Sequence, residues 1–128
     1  MLNCSRNREL TTLEVGNQTK LKRLTAKGVR ITTLDVSQNI ALEYLNVSAT
    51  QLSNIDVSKN TQLKDLLIID NEDLLSKEGY AKIINSLPNR KGQNGGTFRP
   101  SDNYGAFEDD FAAALADKNW IIDYNPEF

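Results

Sequence analysis

Between Leu10 and Asn71 the hydrophobic and polar positions repeat at a spacing of 21 residues. Set in rows, the stretch reads LTTLEVGNQTKLKRLTAKGVR from Leu10, ITTLDVSQNIALEYLNVSATQ from Ile31 and LSNIDVSKNTQLKDLLIIDNE from Leu52. Aliphatic residues fall into columns: Leu10/Ile31/Leu52, Leu13/Leu34/Ile55, Val15/Val36/Val57, Leu21/Leu42/Leu63 and Leu24/Leu45/Leu66. A fixed period of this size predicts a solenoid, because one unit cannot bury its apolar face alone and must stack on its neighbours.

Each row divides in two. The first half has the form L-x-x-L-x-V-x-x-N, as in Ile31–Asn39 and Leu52–Asn60, and the second the form L-x-x-L-x-V-x-x, as in Leu42–Ala49. Apolar residues two apart, such as Leu34/Val36 and Leu45/Val47, share one face of an extended segment. Each coil is therefore expected to hold two short strands, one on each side of a flat core. Asn39 and Asn60 stand where the chain must turn, and a carboxamide there can both donate and accept, so stacked Asn side chains can link coil to coil.

This nesting of a ten- and an eleven-residue unit resembles the short 21-residue class of leucine-rich repeats, with two similar halves per repeat. The resemblance is carried by ITTLDVSQN from Ile31, LSNIDVSKN from Leu52 and ALEYLNVSATQ from Ala41; the first row departs from it, with Gln18 in the Asn column. It implies a right-handed α/β leucine-rich repeat solenoid. It also implies a role in protein interaction or adhesion, since such repeats are common in surface and secreted proteins of bacteria. One architecture hosts many partners, so the resemblance speaks to fold more than to function.

The flanks extend the pattern. Leu2-Asn3-Cys4-Ser5-Arg6-Asn7 fits the second half of a coil whose first half is missing. The chain thus begins in mid-repeat, which is expected of a piece of a longer protein or of an open edge used for end-to-end self-association. After Asn71 the period breaks, but Leu66-x-Ile68-x-x-Asn71 is echoed by Phe98-x-Pro100-x-x-Asn103 and Trp120-x-Ile122-x-x-Asn125. Strands starting at residues 2, 24, 45, 66, 98 and 120 predict a parallel sheet of about six. Helices are expected to replace the second strand row between the last three. Ser76 can cap one carrying Tyr80, Ile83, Ile84 and Leu87 before Pro88, and Asp102 or Asn103 can cap another with Phe107, Phe111, Ala114 and Leu115 inward. The acidic run Glu108-Asp109-Asp110 then lies where the helix dipole favours it. RKGQNGG over Arg90–Gly96 reads as a mobile loop without the order of a phosphate loop. The segments INSLPNRKG, GGTFRPSDN and ADKNWIIDYN also look like the C-terminal ends of bacterial proteins of this type. The chain accordingly divides into repeat coils over 1–71 and a helix/strand cap over 72–128.

Composition narrows the chemistry. No apolar run reaches the roughly 18 residues needed to span a bilayer, and MLNCSRNREL lacks the apolar region of a signal peptide. A cell-surface or extracellular site thus rests on the family resemblance alone. There is no His, and Cys4 is the only cysteine, so neither a His general base nor a Cys–His pair can form. Residues 1–30 hold seven basic side chains against two acidic, a balance of +5 in a chain of net charge −2, which leaves −7 for the rest. Nucleic acid is not expected as a partner, since the chain is net acidic and no aromatic–basic platform is visible.

Glu14, Asp35 and Asp56 form an outward acidic column that strand spacing would bring within reach of one cation, but they belong to the repeat beside Ser37, Ser58, Asn39 and Asn60, which favours turn hydrogen bonding. Neither a metal nor a cofactor is expected. What remains is the outward face of the longer sheet, with the rows Arg23/Tyr44/Asp65, Thr25/Asn46/Leu67 and Lys27/Ser48/Ile69. Arg23, Tyr44, Asp65, Asn46 and Leu67 are the candidate binding residues, because Arg and Tyr are enriched at interaction hot spots. The competing expectation is that Leu67 and Ile69 pack beneath the first helix or its loop. The sequence therefore points to a non-catalytic module that presents a rigid surface to a protein or glycan, or else to a structural spacer within a longer array.

Overall fold

The computed structural model describes residues 1–71 and 75–124; Asn125 and Glu127, which figure in the last strand motif and in the acidic balance, lie outside the described residues. Six strands, β1 (Leu2–Asn3), β2 (Arg23–Thr25), β3 (Tyr44–Asn46), β4 (Asp65–Leu67), β5 (Gly96–Arg99) and β6 (Trp120–Ile122), form one parallel sheet in chain order. All six start within two residues of the positions the repeat predicts. The register stacks Leu2, Leu24, Leu45, Leu66 and Phe98 in one inward column. Leu24, Leu45, Leu66 and Phe98 have no solvent exposure, and each such side chain contributes about 1.5–3 kcal/mol of burial. With Val15, Val36, Val57, Leu21, Leu42 and Leu63 they make one continuous core.

The second strand row is absent among the described residues. Leu13–Val15, Leu34–Val36 and Ile55–Val57 carry no strand ladder. Side chains link the successive coils here. Asn39 Nδ2 donates to Val15 O (2.9 Å) and Gln18 O (3.0 Å), and Asn60 Nδ2 donates to Val36 O (2.9 Å) and Asn39 O (2.9 Å). The coil-to-coil Asn link is therefore present, but it runs through the amide donors only; both Oδ1 atoms are buried and accept no hydrogen bond among the described residues. Each turn closes locally as well, Asn39 N donating to Val36 O and Asn60 N to Val57 O at 3.0 Å.

A second regularity follows each strand. Arg6, Gly28, Ala49 and Asp70 all have positive φ, between 54° and 81°. The chain leaves the sheet through the same left-handed residue in four successive coils.

Helix α1 (Lys77–Ser86) and helix α2 (Glu108–Asp117) occupy the stretches between β4 and β5 and between β5 and β6. Ser76 caps α1 as expected, its Oγ accepting from Gly79 N at 3.1 Å. The cap expected at Asp102 or Asn103 is not formed: both lie inside a 3-10 helix, Asp102–Phe107, that leads into α2. The Asn103 side chain is engaged elsewhere, accepting from Tyr80 Oη (2.6 Å) and donating to Leu75 O (2.8 Å). The acidic residues Glu108, Asp109 and Asp110 do fill the first turn of α2. Tyr80, Phe98, Tyr104, Phe107 and Phe111 form an aromatic cluster between helices and sheet; burial there pushes the Tyr104 hydroxyl to about 12.

The C-terminal end of α1 has no basic residue of its own. Lys118 supplies one from the next connection: its ammonium donates to Ile84 O, Asn85 O and Leu87 O at 2.8–3.0 Å, placing a positive charge at the helix C-terminus. The Arg90–Gly96 segment, expected to be mobile, is tied down at several points. The side chain of buried Arg90 donates to Asn94 O (2.8 Å) and Leu63 O (3.3 Å), while Asn119 Nδ2 holds Arg90 O and Gln93 O. The last strand also departs from the expected column: Trp120 pairs with Gly96, and Ile122 with Phe98. The shift by two residues places the indole over the one position in β5 that has no side chain, where its Nε1 donates to Pro88 O at 2.8 Å.

Candidate functional site

The parallel register turns alternate residues of β2–β5 outward and brings the candidate residues side by side. Arg23, Tyr44, Asp65 and Thr97 form one outward row, and Thr25, Asn46, Leu67 and Arg99 the next. Arg23 and Tyr44 are in direct contact, the guanidinium carbon 3.9 Å from the ring centroid. A cation held over the negative face of a ring is attracted to it by about 0.5–1 kcal/mol at an exposed site. Asp65 is the half-buried register partner of Tyr44.

Two candidate residues are not available in the way the sequence suggests. Leu67 is only 1% exposed, lying between Asn46 and Arg99 in its row, so it belongs to the packed face and not to a contact surface. Asn46 is buried too, its Oδ1 accepting from Ser48 N (3.0 Å) and its Nδ2 lying 3.5 Å from Tyr44 Oη. It positions the Tyr44 end of the pair and has little surface left for a ligand. Leu67 is buried and Ile69 half-buried.

Sequence reasoning missed a depression of about 660 Å³ at the N-terminal end of this face, bordered by Arg6, Arg23, Lys27, Tyr44 and Asn46 among others. Its signal was present in the basic excess of residues 1–30, but the convergence of Arg6 and Lys27 with Arg23 depends on how the turns after β1 and β2 stack. Arg99, by contrast, is matched, 3.1 Å from Asp123.

The acidic column does structural work. Asp35 Oδ1 accepts from Ser37 N at 2.9 Å and Asp56 Oδ1 from Ser58 N at 2.8 Å. The hydroxyls of Ser37 and Ser58, with those amides, hold both carboxyls below the ordinary carboxylate range. Among the described residues no group of three or more potential metal ligands comes together, and no helix is long and apolar enough to cross a membrane.

No family model and no curated protein matches the chain. A solved structure does: the functional domain of InlJ from Listeria monocytogenes, which includes a cysteine ladder, is 36% identical over 78% of this chain, with a TM-score of 0.61. The matched part is 20% of that structure's length. The present chain has a single cysteine, Cys4, at a strand position where the following coils carry Ala26, Val47 and Ile68. InlJ is a leucine-rich repeat internalin. With the 21-residue aliphatic columns, six parallel strands stacked at the repeat position and this likeness in hand, the chain is a leucine-rich repeat protein.

Proposed function

We propose that the chain is a non-catalytic interaction module that offers the outward sheet face around Arg23 and Tyr44 to a protein partner, as part of a bacterial surface or secreted protein. The observation that carries this reading is the Arg23–Tyr44 stack: an exposed cation and a half-buried ring held together at 3.9 Å on adjacent strands of a rigid sheet. A preformed surface loses little ordering entropy on binding. The surface location rests on the likeness to an internalin and is a proposal of the same rank. So is the division of labour along the chain, with residues 1–71 as repeat coils and 72–128 as the cap whose helices and aromatic cluster cover the end of the core.

The test compares capture by the wild-type chain with capture by Arg23→Ala and Tyr44→Ala, after circular dichroism has shown both variants folded. Proteins retained by the wild type and lost from both variants support the module. Retention that ignores both substitutions favours the second reading, a structural spacer whose outward face has no ligand; the burial of Asn46 and Leu67 in the middle of that face speaks for it. Glycan array binding lost in the same variants would move the partner class from protein to glycan. Sedimentation of the chain alone tests the further possibility of end-to-end self-association through β1.

A further inference from the structure

The depression beside the Arg23–Tyr44 stack brings together three cations, Arg6, Arg23 and Lys27, and no carboxylate borders it. Beside the later strands of this face, Lys64 pairs with Glu43 and Arg99 with Asp123. Arg6, Arg23 and Lys27 form no ion pair with any described residue. Leaving three like charges facing one hollow raises the energy of the free protein through mutual repulsion, and an anionic ligand relieves it. The hollow is open, so it suits a chain lying across the surface, with several acidic groups, better than a single enclosed ion.

We infer that this depression binds an acidic peptide segment of a protein partner, with Arg6, Arg23 and Lys27 taking its carboxylates. The inference rests on the outward face being the binding surface. Peptide is favoured over sugar by the state of the one aromatic ring present. The Arg23 guanidinium covers a face of Tyr44, so that face is not free to stack on a pyranose. The same contact holds the guanidinium in place, and its planar fork fits a carboxylate in two parallel bonds.

The experiment is fluorescence anisotropy with the full chain and a labelled peptide of alternating Glu and Gly, set against the same peptide with Gln for Glu and against a sulfated oligosaccharide. The Glu peptide should bind, the Gln peptide should not, and affinity should fall with added salt, which screens exposed charges beyond about 10 Å at 0.1 M. Arg23→Gln and Lys27→Gln should each weaken binding several-fold and together by roughly tenfold or more, while Lys82→Gln on α1 should leave it unchanged. The inference is overturned by equal binding of the Glu and Gln peptides, by indifference to both depression variants, or by binding of the sulfated sugar alone. It is also overturned if salt-sensitive dimerisation of the chain is lost in Arg23→Gln while the Glu peptide fails to bind, which would make the occupant a second copy. If the Glu peptide fails but capture of a protein is still lost in Arg23→Ala and Tyr44→Ala, the binding face stands and only its acidic ligand falls.

Discussion

The indole of Trp120 rests on Gly96 so closely that a Cβ added there would lie 2.5 Å from Trp120 Cδ2. Gly96→Ala must therefore push β6 away from β5 or turn the ring out of its place beneath Pro88. Overpacking of this kind costs typically 1–3 kcal/mol, and a loss of about 2 kcal/mol or more is expected in urea unfolding. Trp120 is the only tryptophan, so its fluorescence reports the same event locally; an unshifted emission and midpoint would mean the ring is not seated on Gly96.

The left-handed position after each strand gives a paired test. Gly28 occupies it at φ 81° and Ala49 at φ 54°. An L-residue there carries about 1–2 kcal/mol of strain, offset against the roughly 0.5–1 kcal/mol that glycine loses in chain entropy. Ala49→Gly should raise the melting temperature by the equivalent of about 0.5–1 kcal/mol, and Gly28→Ala should lower it by about 1 kcal/mol. Opposite signs at equivalent positions are the check, and equal signs would refute the shared geometry.

Asn60 is buried and serves two carbonyls of the preceding turn. Asn60→Ala removes both side-chain bonds while Val36 O and Asn39 O keep their backbone donors Asn39 N and Leu42 N, so a loss of about 1–3 kcal/mol is expected, at about 0.5–1.5 kcal/mol for each bond. Gln18 holds the same column in the first row but is exposed, and Gln18→Ala should change stability by less than about 0.5 kcal/mol. Thermal melts of the two variants side by side decide whether the column is structural because of its partners or merely because of its position.

Acid should weaken the fold through Asp35 and Asp56. Their folded pKa values lie below 3.8, lowered first by the hydroxyls of Ser37 and Ser58 and then by the backbone amides. A group whose pKa is depressed on folding contributes stability above its unfolded value and loses it as pH falls through the folded one. Melting temperature should therefore drop on titration below about pH 4, and the drop should be shallower in the Asp35→Asn, Asp56→Asn double variant, where the amide oxygen can still accept from the Ser amide.

Much of this architecture is legible in one row of text, because aliphatic spacing and a short side-chain cap are local matters. The strand positions, the Ser76 cap and the Asn39/Asn60 links all follow from that logic. What the row cannot show is where two segments settle against each other. Leu34 and Val36 look like a strand because they lie two apart, but the coils there are joined by the side chains of Asn39 and Asn60 and not by a ladder. Phe98 and Trp120 share a motif, yet the ring needs Gly96 beneath it and slides two residues to reach it. In the candidate site, Arg23 and Tyr44 do meet as their columns imply. Leu67 and Asn46 are buried, and the approach of Arg6 to Lys27 depends on turns that carry no hydrophobic signature.

The rungs made by Asn39 and Asn60 all point one way, from a coil back into the one before it. A turn emerging from the ribosome therefore holds only its own local backbone bonds until the next 21 residues follow and their carboxamide swings back. Each coil is finished by its successor, so the array consolidates one step behind synthesis, and the last coil to gain its partners is the one nearest the C-terminal helices. In such a molecule a single lost rung acts less like a local defect than like a break in a relay, dividing one cooperative unit into two.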